Sequence, residues 1–227
     1  MKTAPKLPSK AQRGFTLIEI AIVLVIIGLL LGGVLQGQQL IENSRVKGAT
    51  NDFNGIAAAT FSYQDRYGRM PGDDGAGTGT TAARGATWTG TADGNEDGVI
   101  NAALADTFTG ATGGESGDFF QHLRAAGFIA GDPSLTAAQA LPQNPFGGLI
   151  GITTDAVNNG LNGTKICMSN VGGNSAIALD TQLDDGNGAT GRFRATLGTG
   201  GANTAPAATA LAAAYTEDNI YTVCYRI

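Results

Sequence analysis

The spacing of apolar positions changes character along the chain, and each change predicts a different element. Phe15 to Leu35 reads FTLIEIAIVLVIIGLLLGGVL, an apolar run interrupted by one charge, Glu19. As a helix it reaches about 30 Å at ~1.5 Å per residue, enough to cross a bilayer core. Beyond Gln36 the pattern becomes amphipathic. Val46, Ala49, Phe53, Ile56, Thr60, Tyr63 and Tyr67 recur at steps of three and four, one stripe of a continuing helix that should pack against a sheet. Gly68 and Pro71-Gly72 are stop signals for it. Gly117 to Gly127 reads as a short helix, with Asp118 as N-cap and Gly127 as the residue that ends it. Short β-branched or apolar runs bounded by Gly, Asn or Asp predict strands at 148–153, 165–169, 192–196 and 221–226. Ser175 to Leu183 reads as a helix, with Ala176, Leu179 and Leu183 on one face.

Composition adds one strong bias. Of 227 residues 35 are Gly, about twice the usual share, without the period of collagen. The glycines concentrate in loops at 72–117 and 186–201. An apolar fraction of 42% excludes wholesale disorder. One His and two Cys exclude a zinc site of the usual His/Cys count. The net charge of -5 argues against nucleic acid as a partner. No nucleophile–base pair, phosphate loop or complete metal site is visible, so no enzyme activity is expected. His122, without a nucleophile or second His nearby, reads as a structural hydrogen-bonder.

Between Asp73 and Asp118 lie eight acids and one base, Arg84. Within this stretch Asp93-Gly94-Asn95-Glu96-Asp97-Gly98-Val99-Ile100 matches the first half of a calcium loop. Side chains of Asp93, Asn95 and Asp97 and the carbonyl of Val99 would supply hard oxygen ligands. The twelfth position is Leu104, so the bidentate acid must come from elsewhere. Asp106 and Glu115 are candidates. The competing reading is an Asx-turn loop in which these side chains bond their own backbone. Asp184-Asp185 offers a second choice between cation ligand and solvated turn.

The N-terminus carries the most specific pattern. Lys2, Lys6, Lys10 and Arg13 form a basic leader without acids, which would stay cytoplasmic and place the C-terminal part outside. No A-x-A-like site follows the apolar run. A carboxylate within such a run is costly and calls for a partner. The leader, then Gly14-Phe15-Thr16-Leu17-Ile18-Glu19, resembles the cleavage and methylation motif of type IV prepilins and type II secretion pseudopilins. The resemblance implies cleavage by prepilin peptidase after Gly14 and N-methylation of Phe15. It implies that Glu19 pairs with the N-terminal amine of a neighbouring subunit during assembly. Cleavage removes four basic residues and no acids, taking the net charge from -5 to -9. Many major pilins carry a proline about twenty residues into the mature helix. This chain has Gly32, Gly33 and Gly37 there instead, which could weaken the helix or allow close packing. Tyr67–Asp73, the Asp93–Ile100 loop, Phe119–Phe128 and Leu179–Asn187 also resemble segments of large minor-pilin-like prepilins.

The implied fold is α+β, a type IV pilin fold with a long N-terminal helix on a small antiparallel sheet with long Gly-rich loops. It divides into a cleaved leader (1–14), a transmembrane and assembly helix (15–68) and a globular head (69–227). The expected function is structural subunit of a type IV pilus, minor or major. The alternative is a pseudopilin of a short periplasmic pseudopilus. A membrane-anchored enzyme or sensor is the competitor from another class. Expected partners are other pilin subunits, prepilin peptidase, the inner-membrane assembly machinery and, before assembly, the inner membrane itself. A head in an oxidising compartment favours a Cys167–Cys224 disulfide over two buried free thiols, and many pilins close a C-terminal loop this way. Calcium is the one candidate cofactor.

Overall fold

The computed structural model describes residues 14–75, 80–110, 114–209 and 214–227. Leader positions 1–13 and parts of the glycine-rich loop at 72–117 lie outside them. The chain divides into two compact units, residues 1–42 and 43–227.

Helix α1 runs unbroken from Leu17 to Tyr67, through Gly32, Gly33 and Gly37. Its N-terminal part is long and apolar enough to cross a membrane, and its apolar side chains are exposed. The second part belongs with the head. Val46, Ala49, Phe53, Ile56, Thr60 and Tyr63 are buried as the stripe predicts, joined by Ala59. Gly68, at φ +67°, ends the helix where the sequence places the stop.

The sheet is antiparallel, with order β1-β2-β4-β3. Its strands are β1 (Ile150–Thr153), β2 (Lys165–Gly172), β3 (Phe193–Leu197) and β4 (Ile220–Arg226). β2 runs past the predicted 169 to Gly172, across an irregularity between Met168 and Val171 where register with β4 shifts. Helix α3 (Gly173–Leu183) follows at once, two residues earlier than predicted. Phe53 of α1 meets Phe193 of β3 and Tyr225 of β4 edge-on, at ring centroid distances of 6.0 and 5.7 Å. That contact seats the amphipathic half of α1 on the sheet.

Helix α2 (Glu115–Ala125) ends in a Schellman turn. The N–H of Gly127 donates to the Arg124 carbonyl and that of Phe128 to the Leu123 carbonyl, with Gly127 at φ +78°. Its start differs from expectation. Gly114 occupies the N-cap position and makes no side-chain cap bond. Asp118 therefore lies inside the first turn and caps nothing.

The loop after β3 is tied down where it is described. Pro206 is buried, Asn158 and Asn159 donate to the carbonyls of Ala207 and Ala208, and Thr222 donates to that of Thr204.

Cys167 and Cys224 face each other across β2 and β4, fully buried, and form a disulfide with Cα atoms 4.0 Å apart. The bridge spans 57 residues, for which chain-entropy reasoning gives about 4 kcal/mol. Replacing both cysteines by serine should lower the unfolding free energy of the head by a few kcal/mol, read from a urea melt whose slope steepens as the unlinked chain expands further on unfolding.

Candidate functional site

Two regions carry the candidate residues, one at the start of α1 and one in the glycine-rich part of the head.

At the helix start, Thr16 is the residue before the first helical position and Glu19 the third within it. The Thr16 N–H and hydroxyl donate to Glu19 Oε2 at 2.8 and 2.7 Å, and the Glu19 N–H donates back to Thr16 Oγ1 at 3.3 Å. This is a capping box, which satisfies backbone donors that a helix start leaves open. The T-x-x-E spacing in the sequence announces it. Treating Glu19 only as a charge awaiting a partner overlooks Thr16. Gly14 and Phe15 precede the helix, and Phe15 is 85% exposed.

In the head, the four proposed calcium ligands are engaged in different ways. Asp93 turns to the preceding loop, accepting from the N–H groups of Thr80 and Thr81 at 3.0 and 2.8 Å and from the Thr81 hydroxyl at 2.5 Å. Asn95 Oδ1 accepts from the Asp97 N–H, and Asp97 Oδ1 accepts from the Val99 N–H. The structure thus has the backbone-bonded Asx pattern of the competing reading. Asp73, which no motif singles out, closes the loop. Its two oxygens accept from the N–H groups of Asp97 and Gly98, both at 3.0 Å. Approach is close here: a Cβ on Gly94 would lie 2.3 Å from the Asp73 carbonyl carbon, so only glycine serves.

Asp74, beside it, is fully buried and takes a two-pronged ion pair from Arg84, at 2.5 and 2.9 Å, and a hydrogen bond from the Tyr63 hydroxyl at 2.5 Å. Burial alone would raise the Asp74 carboxyl, but Arg84 and Tyr63 hold it below the usual range. The guanidinium lies over Tyr67 and Trp88, at 4.9 and 5.0 Å from their ring centres. His122 completes this centre. Its Nδ1 accepts from the Gly72 N–H at 2.9 Å and its Nε2 bonds the Ala92 carbonyl at 2.8 Å, which fixes the neutral tautomer. Burial pushes its titration down. It is structural, stacked on Tyr63 at 6.1 Å.

Other acids crowd the same region. Burial raises Asp73 and Glu115, and the charge of Asp97 raises both further. Asp118 is pushed up to about 7, first by burial, then by Glu115 and Asp93. In the C-terminal turn, oxygens of Asp180, Asp184 and Asp185 lie within 4.8 Å of one another. Each acid has partners there. Asp180 accepts from Gly186 and the Tyr215 hydroxyl, Asp184 from Phe193, and Asp185 from Asn187 and Thr190. Asp180 joins the pair seen in sequence, because α3 brings it over the turn.

The buried Asp118 carboxyl gives the head a definite pH dependence. Its folded pKa stands above the ordinary 3.8, so the fold binds the extra proton between about 4 and 7. Its contribution is favourable below that window and is lost as pH rises through about 7. Asp118→Asn should raise the melting temperature by several degrees at about pH 8 and change it little at about pH 4, measured by circular dichroism.

Among known families, the prokaryotic N-terminal methylation motif matches residues 9–35. Neither the curated proteins nor the solved structures gave a match. Phe15, Thr16 and Glu19 lie inside the matched residues, the first two just before and the third within the first turn of a long helix that leads into an α+β head with a four-stranded antiparallel sheet. The chain therefore carries the prepilin-type cleavage and methylation signal, the signal of type IV pilins and pseudopilins.

Proposed function

We propose that this protein is a structural subunit of a type IV pilus, stored in the inner membrane and drawn into a helical filament through α1. The observation that carries it is the prepilin-type signal joined to a single helix whose first half is apolar and exposed and whose second half is built into a folded head. Lipid first, and neighbouring helices later, would cover the side chains from Leu17 to Leu35. The pseudopilin reading shares every one of these features.

The chemistry at the N-terminus follows from three residues. Prepilin peptidase cuts after Gly14 and leaves Phe15 as an N-methylated amine. Glu19 meets the amine of an adjoining subunit, because an ionised carboxylate in an apolar filament core is stable only beside a positive charge. Within its own chain Glu19 already bonds Thr16, which holds the carboxylate at the helix start, where an incoming amine reaches it. The head functions without catalysis. Its disulfide and polar anchors keep shape on an exposed surface.

Mass spectrometry of protein recovered from membranes should show loss of residues 1–14 and gain of one methyl group. Glu19→Ala should remain cleaved yet fall at least about tenfold in recovered filaments. An intact leader on the native protein would overturn the proposal. Finding the chain abundant in sheared surface filaments, rather than absent, separates pilus from pseudopilus.

Calcium in the acidic loop is part of the same proposal, with Asn95, Asp97 and the Val99 carbonyl as hard oxygen donors. Asp93 is committed to Thr80 and Thr81, so its contribution is the least direct. The repulsion among Asp73, Asp97 and Glu115 supports the proposal, because a divalent cation would relieve it. Calcium should raise the melting temperature of the protein and chelator should lower it. An unchanged melt in both removes calcium from the account.

A further inference from the structure

Asp118 has an unusual position. It is 4% exposed, on the first turn of α2. It forms part of the wall of a cavity of about 220 Å³ between α2, the segment around Ala92, Gly110 and the strap at 136–140.

The strap is held over the helix by two bonds. Gln121 Nε2 donates to the Leu135 carbonyl at 2.7 Å and Arg124 to the Ala140 carbonyl at 2.5 Å. Gln121 also accepts from the Ala92 N–H at 3.0 Å, so both ends of its amide hold backbone partners. Among the described residues no basic side chain lines the cavity. The nearest charges acting on Asp118 are those of Glu115 and Asp93, which repel it. A buried carboxylate in that setting either holds its proton or acquires a cation.

The wall decides which cation. Calcium needs six to eight oxygens, and one carboxylate with the side-chain oxygens of Thr91, Gln121 and Thr136 does not supply them. Water alone would fill the volume with about seven molecules at ~30 Å³ each, every one needing two or more polar partners. Beside the acid, Thr91, Gln121 and Thr136 are the polar side chains in the wall, and the rest of it is alanine and glycine. An alkyl chain ending in a charged nitrogen matches both parts of the site. Its methylenes lie against the alanines and its head meets the acid. The mouth is at Thr136 and Ala137, both exposed.

We propose that this cavity binds a primary alkylammonium group, with its nitrogen paired to Asp118 and its methylenes packed on Ala92, Ala137 and Ala140. Two sources share that chemistry, a free amine and a lysine of a second copy of this chain. Of the lysines in the described residues, Lys165 is buried, with its ammonium bonded to the carbonyls of Thr154 and Gly163. Lys47 is exposed on α1 and is the one able to enter a neighbour.

The test uses the full chain in non-ionic detergent at about pH 8, where the Asp118 carboxyl is ionised. n-Butylammonium chloride is titrated by calorimetry against sodium chloride and n-butanol. Saturable heat from the amine alone is expected. It should weaken at least about tenfold in Asp118→Asn and equally in Thr136→Trp, which blocks the exposed mouth without touching the core. Thr136→Trp keeps the test decisive if the asparagine variant folds poorly. In parallel, zero-length carbodiimide coupling on mixed isotope-labelled chains reports whether Asp118 joins Lys47 of another copy. That cross-link identifies the lysine as the source, and amine binding without it identifies a free amine. No heat above the sodium chloride control together with no cross-link, or equal binding in both variants, overturns the proposal.

Discussion

The head depends on the contact of Arg84 with Asp74 under the Tyr63 hydroxyl. Asp74 is fully buried, and an isolated carboxylate there would cost several kcal/mol. The fork of Arg84 and the Tyr63 bond meet that cost with charge-assisted hydrogen bonds in fixed directions. Because Tyr63 stands on α1, the contact fastens the glycine-rich loops to that long helix. Trp88 and Tyr67 flank the guanidinium, and His122 bonds the backbone on either side. A loop region with few apolar side chains is thus ordered by polar anchors of high directionality, with Trp88, Ile100 and Phe108 as its buried apolar contribution.

The regular elements were legible in the sequence because their signals are periodic. The three-and-four stripe from Val46 to Tyr63 is the buried face of α1, and every strand stands within two or three residues of its predicted run. The Cys167–Cys224 pairing was readable from compartment and count. Spacing is less informative where side chains act over distance. Asp118 has the composition of an N-cap, yet Gly114 takes that place, since tertiary packing sets where α2 begins. Asp73 carries no motif and still closes the Asp93–Ile100 loop from twenty-four residues away. Asp93 fits a calcium pattern by spacing, while the fold turns it toward Thr80 and Thr81. Spacing describes neighbours along the chain, and these contacts join segments that are neighbours only in space.

Helix α1 answers to two solvents without a break. Its first half exposes Leu, Ile and Val on all sides, and its second half confines them to one stripe. The glycines at 28, 32, 33 and 37 sit in the first half with open space where a Cβ would be. They leave smooth stretches on the surface that lipid or another helix would contact. The Thr16–Glu19 box means that the helix start is satisfied within one chain. Any partner for Glu19 must therefore compete with, or add to, a bond already made.

The strand order carries a consequence for how the head comes into being. β4 lies between β2 and β3, and it follows both in the chain. β3 has no partner until Ile220–Arg226 arrives, and Cys167 has none until Cys224 does. The sheet cannot be completed from the N-terminus forward, as a meander could. The segment up to Arg226 must be present before the core closes, with β3 an open edge in the meantime. Folding is therefore a final step taken at once, and loss of the last dozen residues would remove the centre of the sheet, not its margin.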